Sequence, residues 1–125
     1  MVLWPIGKHM QKITHHKIGI AQGDTVLFSD FEHDGDMWTG EGARQTRVDV
    51  VFDQAFLSPP VVHVGLTMWD MSNAANARMD LQTEDVTPNG CAIVVRTWGD
   101  TKIARVRVGW MAIGAVRDDE DWDLG

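Results

Sequence analysis

The sequence predicts an all-β fold of six short strands, an antiparallel sandwich or small barrel. Apolar residues recur at every second position in a series of short runs, the spacing that buries one face of a strand. Gly, Pro, Asn and Asp punctuate those runs, and helical stripes are scarce. At 125 residues the chain is long enough for one real core and too short for two.

Residues 1–20 read as an N-terminal extension, in which helix and loop fit equally well. Residues 21–115 form the sandwich, and residues 116–125 a charged, mobile tail. Thr25–Phe28 is the first strand. Thr46–Phe52 alternates Val48, Val50 and Phe52 against Arg47, Asp49 and Val51. Val61–Met68 follows the stiff pair Pro59-Pro60. Ala77–Val86 alternates Ala77, Met79 and Leu81 against Arg78, Asp80 and Gln82. Thr87-Pro88-Asn89-Gly90 reads as a turn, with Pro at its start and Gly where positive φ is needed. Cys91–Trp98 and Thr101–Ile113 complete the set. Gly99-Asp100 between them is a two-residue hairpin signal, so the last three strands read as a meander. Ala104, Val106, Val108, Trp110 and Ala112 share one apolar stripe, and Trp38, Trp69 and Trp110 read as core or interface residues.

The net charge of −7 is concentrated. Asp30, Glu32, Asp34, Asp36 and Glu41 form one acidic group, and Asp118, Asp119, Glu120, Asp121 and Asp123 another. Without those ten the net charge becomes +3. No continuous basic surface is implied, which argues against nucleic acid as a partner. Arg96, Arg105 and Arg107 fit a small positive patch or a solvated strand face. No apolar run approaches the ~20 residues that span a bilayer, and the N-terminus lacks signal-peptide order. The single cysteine, Cys91, lies in an apolar run and reads as a small buried hydrophobe.

Asp30-Phe31-Glu32-His33-Asp34-Gly35, followed after five residues by Glu41, has the spacing of a calcium-binding EF-hand loop. An EF-hand needs a helix on each side, and both flanks here read as strands. A solvated acidic loop fits that context better than calcium. His15 and His16 are adjacent and cannot share a face, so a zinc site has little support. No nucleophile motif, phosphate loop or held carboxylate pair appears, so the chain reads as a non-enzyme.

Asn76, Arg78 and Trp98 remain. Asn76 and Arg78 lie two apart at the start of a strand and project to one face. Trp98 ends the neighbouring strand, at the lip of a turn. A sugar is recognised by such a set: a ring covers the apolar face of a pyranose, while amide, guanidinium and carboxylate bind its hydroxyls. The alternative is that Trp98 covers a sheet edge and Arg78 pairs with a surface carboxylate.

Ser58-Pro59-Pro60-Val61-Val62-His63-Val64, Asn76-Ala77-Arg78, Val86-Thr87-Pro88-Asn89-Gly90 and Arg96-Thr97-Trp98-Gly99-Asp100-Thr101 through Trp110 resemble the H-type lectin domain. That family includes snail agglutinins and the C-terminal domain of discoidins, and the resemblance spans about residues 24–114. It implies a six-stranded antiparallel β-sandwich that forms a homotrimer and binds galactose or N-acetylgalactosamine glycans near the subunit interfaces, without catalysis. It implies roles in sugar binding for Asn76, Arg78 and Trp98, with Glu41 and Gly40 beside them, and it sets Gly99 and Asp100 next to the ring. Three positions depart from the pattern: Gly99 replaces a histidine, Ala104 a neighbouring-subunit tyrosine, and Glu41 an aspartate. The resemblance implies adhesion or surface recognition, and an extracellular or particle-surface location. An alternative role is a structural or receptor-binding decoration of a larger particle such as a virion, docked through residues 1–20.

Overall fold

The computed structural model describes residues 10–118. It contains six strands: β1 (Lys17–Phe28), β2 (Arg44–Val51), β3 (Val61–Met71), β4 (Asp80–Thr87), β5 (Gly90–Thr97) and β6 (Ile103–Val116). They form two antiparallel three-stranded sheets, ordered β1-β6-β3 and β2-β5-β4. The expected all-β sandwich is therefore present, with β6 central in one sheet and β5 in the other.

The alternating patterns place the core. Ile93 and Val95 from β5 meet Ile103, Val106 and Val108 from β6, with Leu27, Phe28 and Met37 closing one end. Phe52, Phe56, Cys91 and Ala112 form a second cluster, and the half-buried Trp110 packs against both. Phe52 and Phe56 meet edge to face at 5.2 Å. Burial also pushes the Cys91 thiol up from its ordinary pKa, as suits a structural residue.

The two outer faces differ. On β2-β5-β4, Ala92 and Val94 point outward yet are buried. Arg47 and Gln82 flank Val94, and Asp49 and Glu84 flank Ala92. Long polar side chains cover small apolar residues there. Arg47 pairs with Asp85 at 2.8 Å and Arg96 with Glu84 at 2.7 Å. On β1-β6-β3 the register lines up Ile20, Ile113 and Val61 in one row. Their exposures are 65%, 37% and 56%, so this row is apolar and uncovered.

Several expectations are corrected. β1 begins at Lys17, well before Thr25, so residues 17–20 are strand rather than extension. Its partner Val116 likewise belongs to β6 rather than the tail. Residues 1–9 and 119–125, which hold nearly half of the proposed docking arm and most of the acidic tail, lie outside the described residues. The last three strands are not a meander: β4 and β5 pair, but β5 and β6 lie in different sheets. Gly99-Asp100 is thus a corner between sheets rather than a hairpin. The alternation on each side of a turn does not say whether the chain returns beside itself or crosses the core. In the turn joining β4 and β5, Thr87 Oγ1 accepts the N–H groups of Asn89 and Gly90, each at 3.2 Å. Gly90 has no positive φ, and its smallness serves another purpose, because a Cβ there would collide with the Val50 carbonyl oxygen.

The acidic segment is compact rather than an open loop. It holds a 3-10 turn at Asp30–Glu32 and a short helix, α1 (Asp36–Thr39). The Asp30 carboxylate accepts the Met37 N–H at 2.9 Å and so serves the backbone. The left-handed residue is Asp34, with φ of 52°, rather than Gly35. Among the described residues no three acidic, His or Cys side chains group as metal ligands. Arg96, Arg105 and Arg107 do not form one patch. Arg96 lies on β5, whereas Arg105 pairs with Asp70 and Arg107 donates to Thr67 on the other sheet. Of the tryptophans, Trp38 is half-buried and meets Phe31 at 5.5 Å, while Trp69 is 59% exposed.

Candidate carbohydrate-binding site

Three segments meet at the corner between the sheets: residues 40–44, residues 76–79, and the Trp98–Lys102 crossing. Asn76 and Arg78 do not open a strand as expected. They lie in the connection between β3 and β4, because β4 starts only at Asp80. The crossing residues hold this connection. Thr101 Oγ1 donates to the Asn76 carbonyl at 2.5 Å, and Thr97 Oγ1 donates to the Arg78 carbonyl at 2.6 Å. Both threonines are buried, so the pairing satisfies hydroxyls that water cannot reach.

The Arg78 side chain then turns onto the crossing. Its Nη1 donates to Asp100 Oδ1 at 2.6 Å and to Thr101 Oγ1 at 3.2 Å. The hydrogen bond from Arg78 holds the Asp100 carboxyl below the usual carboxylate range. Gly99, with φ of 69°, lies against the same guanidinium. Arg78 does therefore pair with a surface carboxylate. It does so beside Trp98, whose ring is 47% exposed, rather than away from it.

Sequence reasoning missed Arg44. It is 6% exposed, and its guanidinium holds the corner together. Nη1 donates to the carbonyls of Asp36, Met37 and Gly40, Nη2 to those of Gly99 and Thr101, and Nε to that of Gly42. A guanidinium has five N–H donors in a rigid fork, a shape suited to several backbone segments at once. The only sequence signal was an arginine two residues ahead of the stretch patterned as a strand, Thr46–Phe52.

Gly40 and Glu41 are brought to the site by that clamp. The Gly42 N–H donates to the Gly99 carbonyl at 2.9 Å, which seats the segment on the crossing. The Gly40 carbonyl is occupied by Arg44 at 2.9 Å and by Lys102 at 3.3 Å. Glu41 is exposed beside it. Ala104 is 3% exposed and packed in the interior, away from the surface of the corner. The fold thus gathers Gly40, Glu41, Asn76, Arg78, Trp98, Gly99 and Asp100 at one end of the sandwich.

The H-type lectin domain model matches residues 47–113. Among curated relatives, the ATP synthase subunits region ORF 7 of Fuscovulum blasticum is 56% identical over 107 residues, covering 86% of this chain and 93% of the relative. A discoidin-1 polypeptide of Dictyostelium discoideum is 31% identical over 75 residues, which is 59% of this chain and 30% of that protein. Among solved structures, recombinant discoidin II of Dictyostelium discoideum superposes with a TM-score of 0.70 at 19% identity. The likeness covers 86% of this chain and 40% of that one, and at this identity it concerns the fold.

Proposed function

The chain belongs to the H-type lectin domain family, and from that premise we propose that it is a glycan-binding module rather than an enzyme. The observation that carries this reading is Trp98. It is half-exposed on a corner held by Arg44, next in the chain to the crossing on which the Arg78 guanidinium meets the Asp100 carboxylate. Rigid aromatic surface beside hydrogen-bonding groups suits a pyranose, which has one apolar face and a rim of hydroxyls. Trp98 stacks on the sugar, Arg78 and Asp100 bind hydroxyls as a pair, and Asn76 and Glu41 flank them. Galactose and N-acetylgalactosamine are the sugars that the family resemblance supports. Gly99 leaves the site more open than the family pattern, which favours tolerance of the sugar's substituents.

The same reading includes a homotrimer. Its support is the uncovered row Ile20, Ile113 and Val61, since an apolar face of this kind on a soluble domain marks a contact surface. Three sites displayed together gain ~10²–10⁴ in avidity on a multivalent surface. That gain suits adhesion or recognition at a glycan-coated surface.

A glycan array, run after the assembly mass has been measured, tests the proposal. Wild type is expected to bind galactose-terminated glycans, and Trp98→Ala and Arg78→Ala to lose most of that signal while remaining folded. Equal binding by wild type and both variants would refute the site.

A further inference from the structure

We infer a second sugar subsite on the outer face of β2-β5-β4, on the far side of Trp98 from Arg78. It rests on the lectin reading above and extends the ligand from a single sugar to an oligosaccharide. Thr97 points inward and is 1% exposed, so alternation along β5 turns Arg96 and Trp98 outward together. Arg96 is in register with Gln45 on β2 and with Asp80 on β4. An amide, a guanidinium and a carboxylate therefore form one transverse row beneath the Trp98 ring. These residues, with Ala43, line a groove of about 410 Å³, within the ~300–1,000 Å³ typical of small-molecule sites.

The row is held, and it keeps open valences. Arg96 Nε donates to Gln45 Oε1 at 3.2 Å, and its Nη1 meets Glu84 at 2.7 Å. These bonds orient the guanidinium and leave its Nη2 donors for a ligand. The same bond turns the Gln45 amide so that its NH₂ is available. Asp80 accepts from Gln82 Nε2 at 3.0 Å and 3.2 Å, which still leaves acceptor capacity for a hydroxyl. Donors and acceptors thus alternate across the groove, as the hydroxyls of a sugar do.

Charge narrows the ligand class. Arg44 also lines the groove, so Arg44 and Arg96 balance Asp80 and the Glu84 paired to Arg96, and with no excess of either charge the groove favours an uncharged sugar. The occupant is a neutral hexose or N-acetylhexosamine, linked to the terminal sugar that Trp98 and Arg78 hold.

The experiment compares mono-, di- and trisaccharides ending in galactose or N-acetylgalactosamine on an array, followed by titration of the best disaccharide against its terminal monosaccharide. The proteins are wild type, Gln45→Ala and Asp80→Asn, both variants being surface changes outside the core. Wild type is expected to prefer the disaccharide by roughly fivefold to tenfold, the value of one or two net hydrogen bonds. Both variants are expected to lose that preference and keep wild-type affinity for the monosaccharide. A preference that survives in both variants overturns the subsite. So does stronger binding of sialylated or uronic-acid glycans. Monosaccharide binding with no disaccharide preference in wild type overturns the subsite and leaves the lectin reading standing. No binding to any glycan overturns both.

Discussion

The guanidinium of Arg78 occupies the space that a side chain at position 99 would need. A Cβ built on Gly99 would lie 2.8 Å from Arg78 Nη1, and Gly99 itself is left-handed at φ of 69°. The absence of a side chain at position 99 thus leaves room for the guanidinium that reaches Asp100.

Gly99→Ala is therefore expected to destabilise the fold by about 1–3 kcal/mol, since the backbone conformation is strained and the Arg78 contact too close. Chemical denaturation measures the loss. The Arg78→Ala, Gly99→Ala double variant should lose less than the sum of the two, because deleting Arg78 removes the collision and leaves only the backbone term.

Arg44→Met is expected to cost of order 3 kcal/mol or more, because carbonyls on several segments of the corner lose a charged donor together. Arg44→Lys retains the charge but lacks the fork, so it should recover only part of that loss. Urea midpoints rank the three proteins. A midpoint for Arg44→Met equal to that of wild type would show that the clamp does not hold the corner.

Trp98→Ala removes exposed surface and should leave the unfolding midpoint within experimental scatter. Its glycan affinity should fall roughly tenfold or more through loss of the stacking area. Separate readouts of stability and binding distinguish a ligand-facing ring from one that merely covers a sheet edge.

Asp100 should titrate below its ordinary value of 3.8, because Arg78 donates to its ionised form. The sign follows from linkage: the folded pKa is depressed, so the pair's contribution is complete above the unfolded value. It is lost as pH falls through the folded one. At 61% side-chain exposure for Asp100 the contribution is modest and salt-sensitive. Carboxyl carbon shifts followed by NMR measure the midpoint directly. In Arg78→Ala it should rise toward the ordinary value, because the largest lowering cause is gone.

Ile113→Lys, or Val61→Lys, sets a charge in the apolar row of β1-β6-β3. If that face joins the copies, the mass by light scattering should fall from trimer to monomer while circular dichroism retains the strand signal. An unchanged trimer would place the contact on another face.

What the chain determines by itself is local. Alternation along Val48–Val50–Phe52, and along Ala104 to Ala112, follows from the pleat, since a one-residue slip would turn every apolar side chain to water. The strands were legible for that reason, and so was burial of Cys91. The residues of the candidate site stood out through the motifs they share with a known family, since on residue types alone a Trp98 covering a sheet edge fitted at least as well. Their arrangement did not. A Gly-Asp corner has the same local pattern whether it closes a hairpin or crosses between sheets, and the choice rests on which surface each strand buries. Here β5 pairs with β2 and β4, and β6 with β1 and β3, so Gly99 became a crossing and Asn76 and Arg78 were lifted off the strand onto it. Arg44 shows the same limit. Its acceptors are backbone carbonyls, among them that of Thr101, fifty-seven residues away in sequence, and backbone carbonyls carry no sequence signature. Only the tertiary structure could bring them within reach of one guanidinium, because the cost of burying that charge is met by contacts that exist nowhere along the chain until it folds.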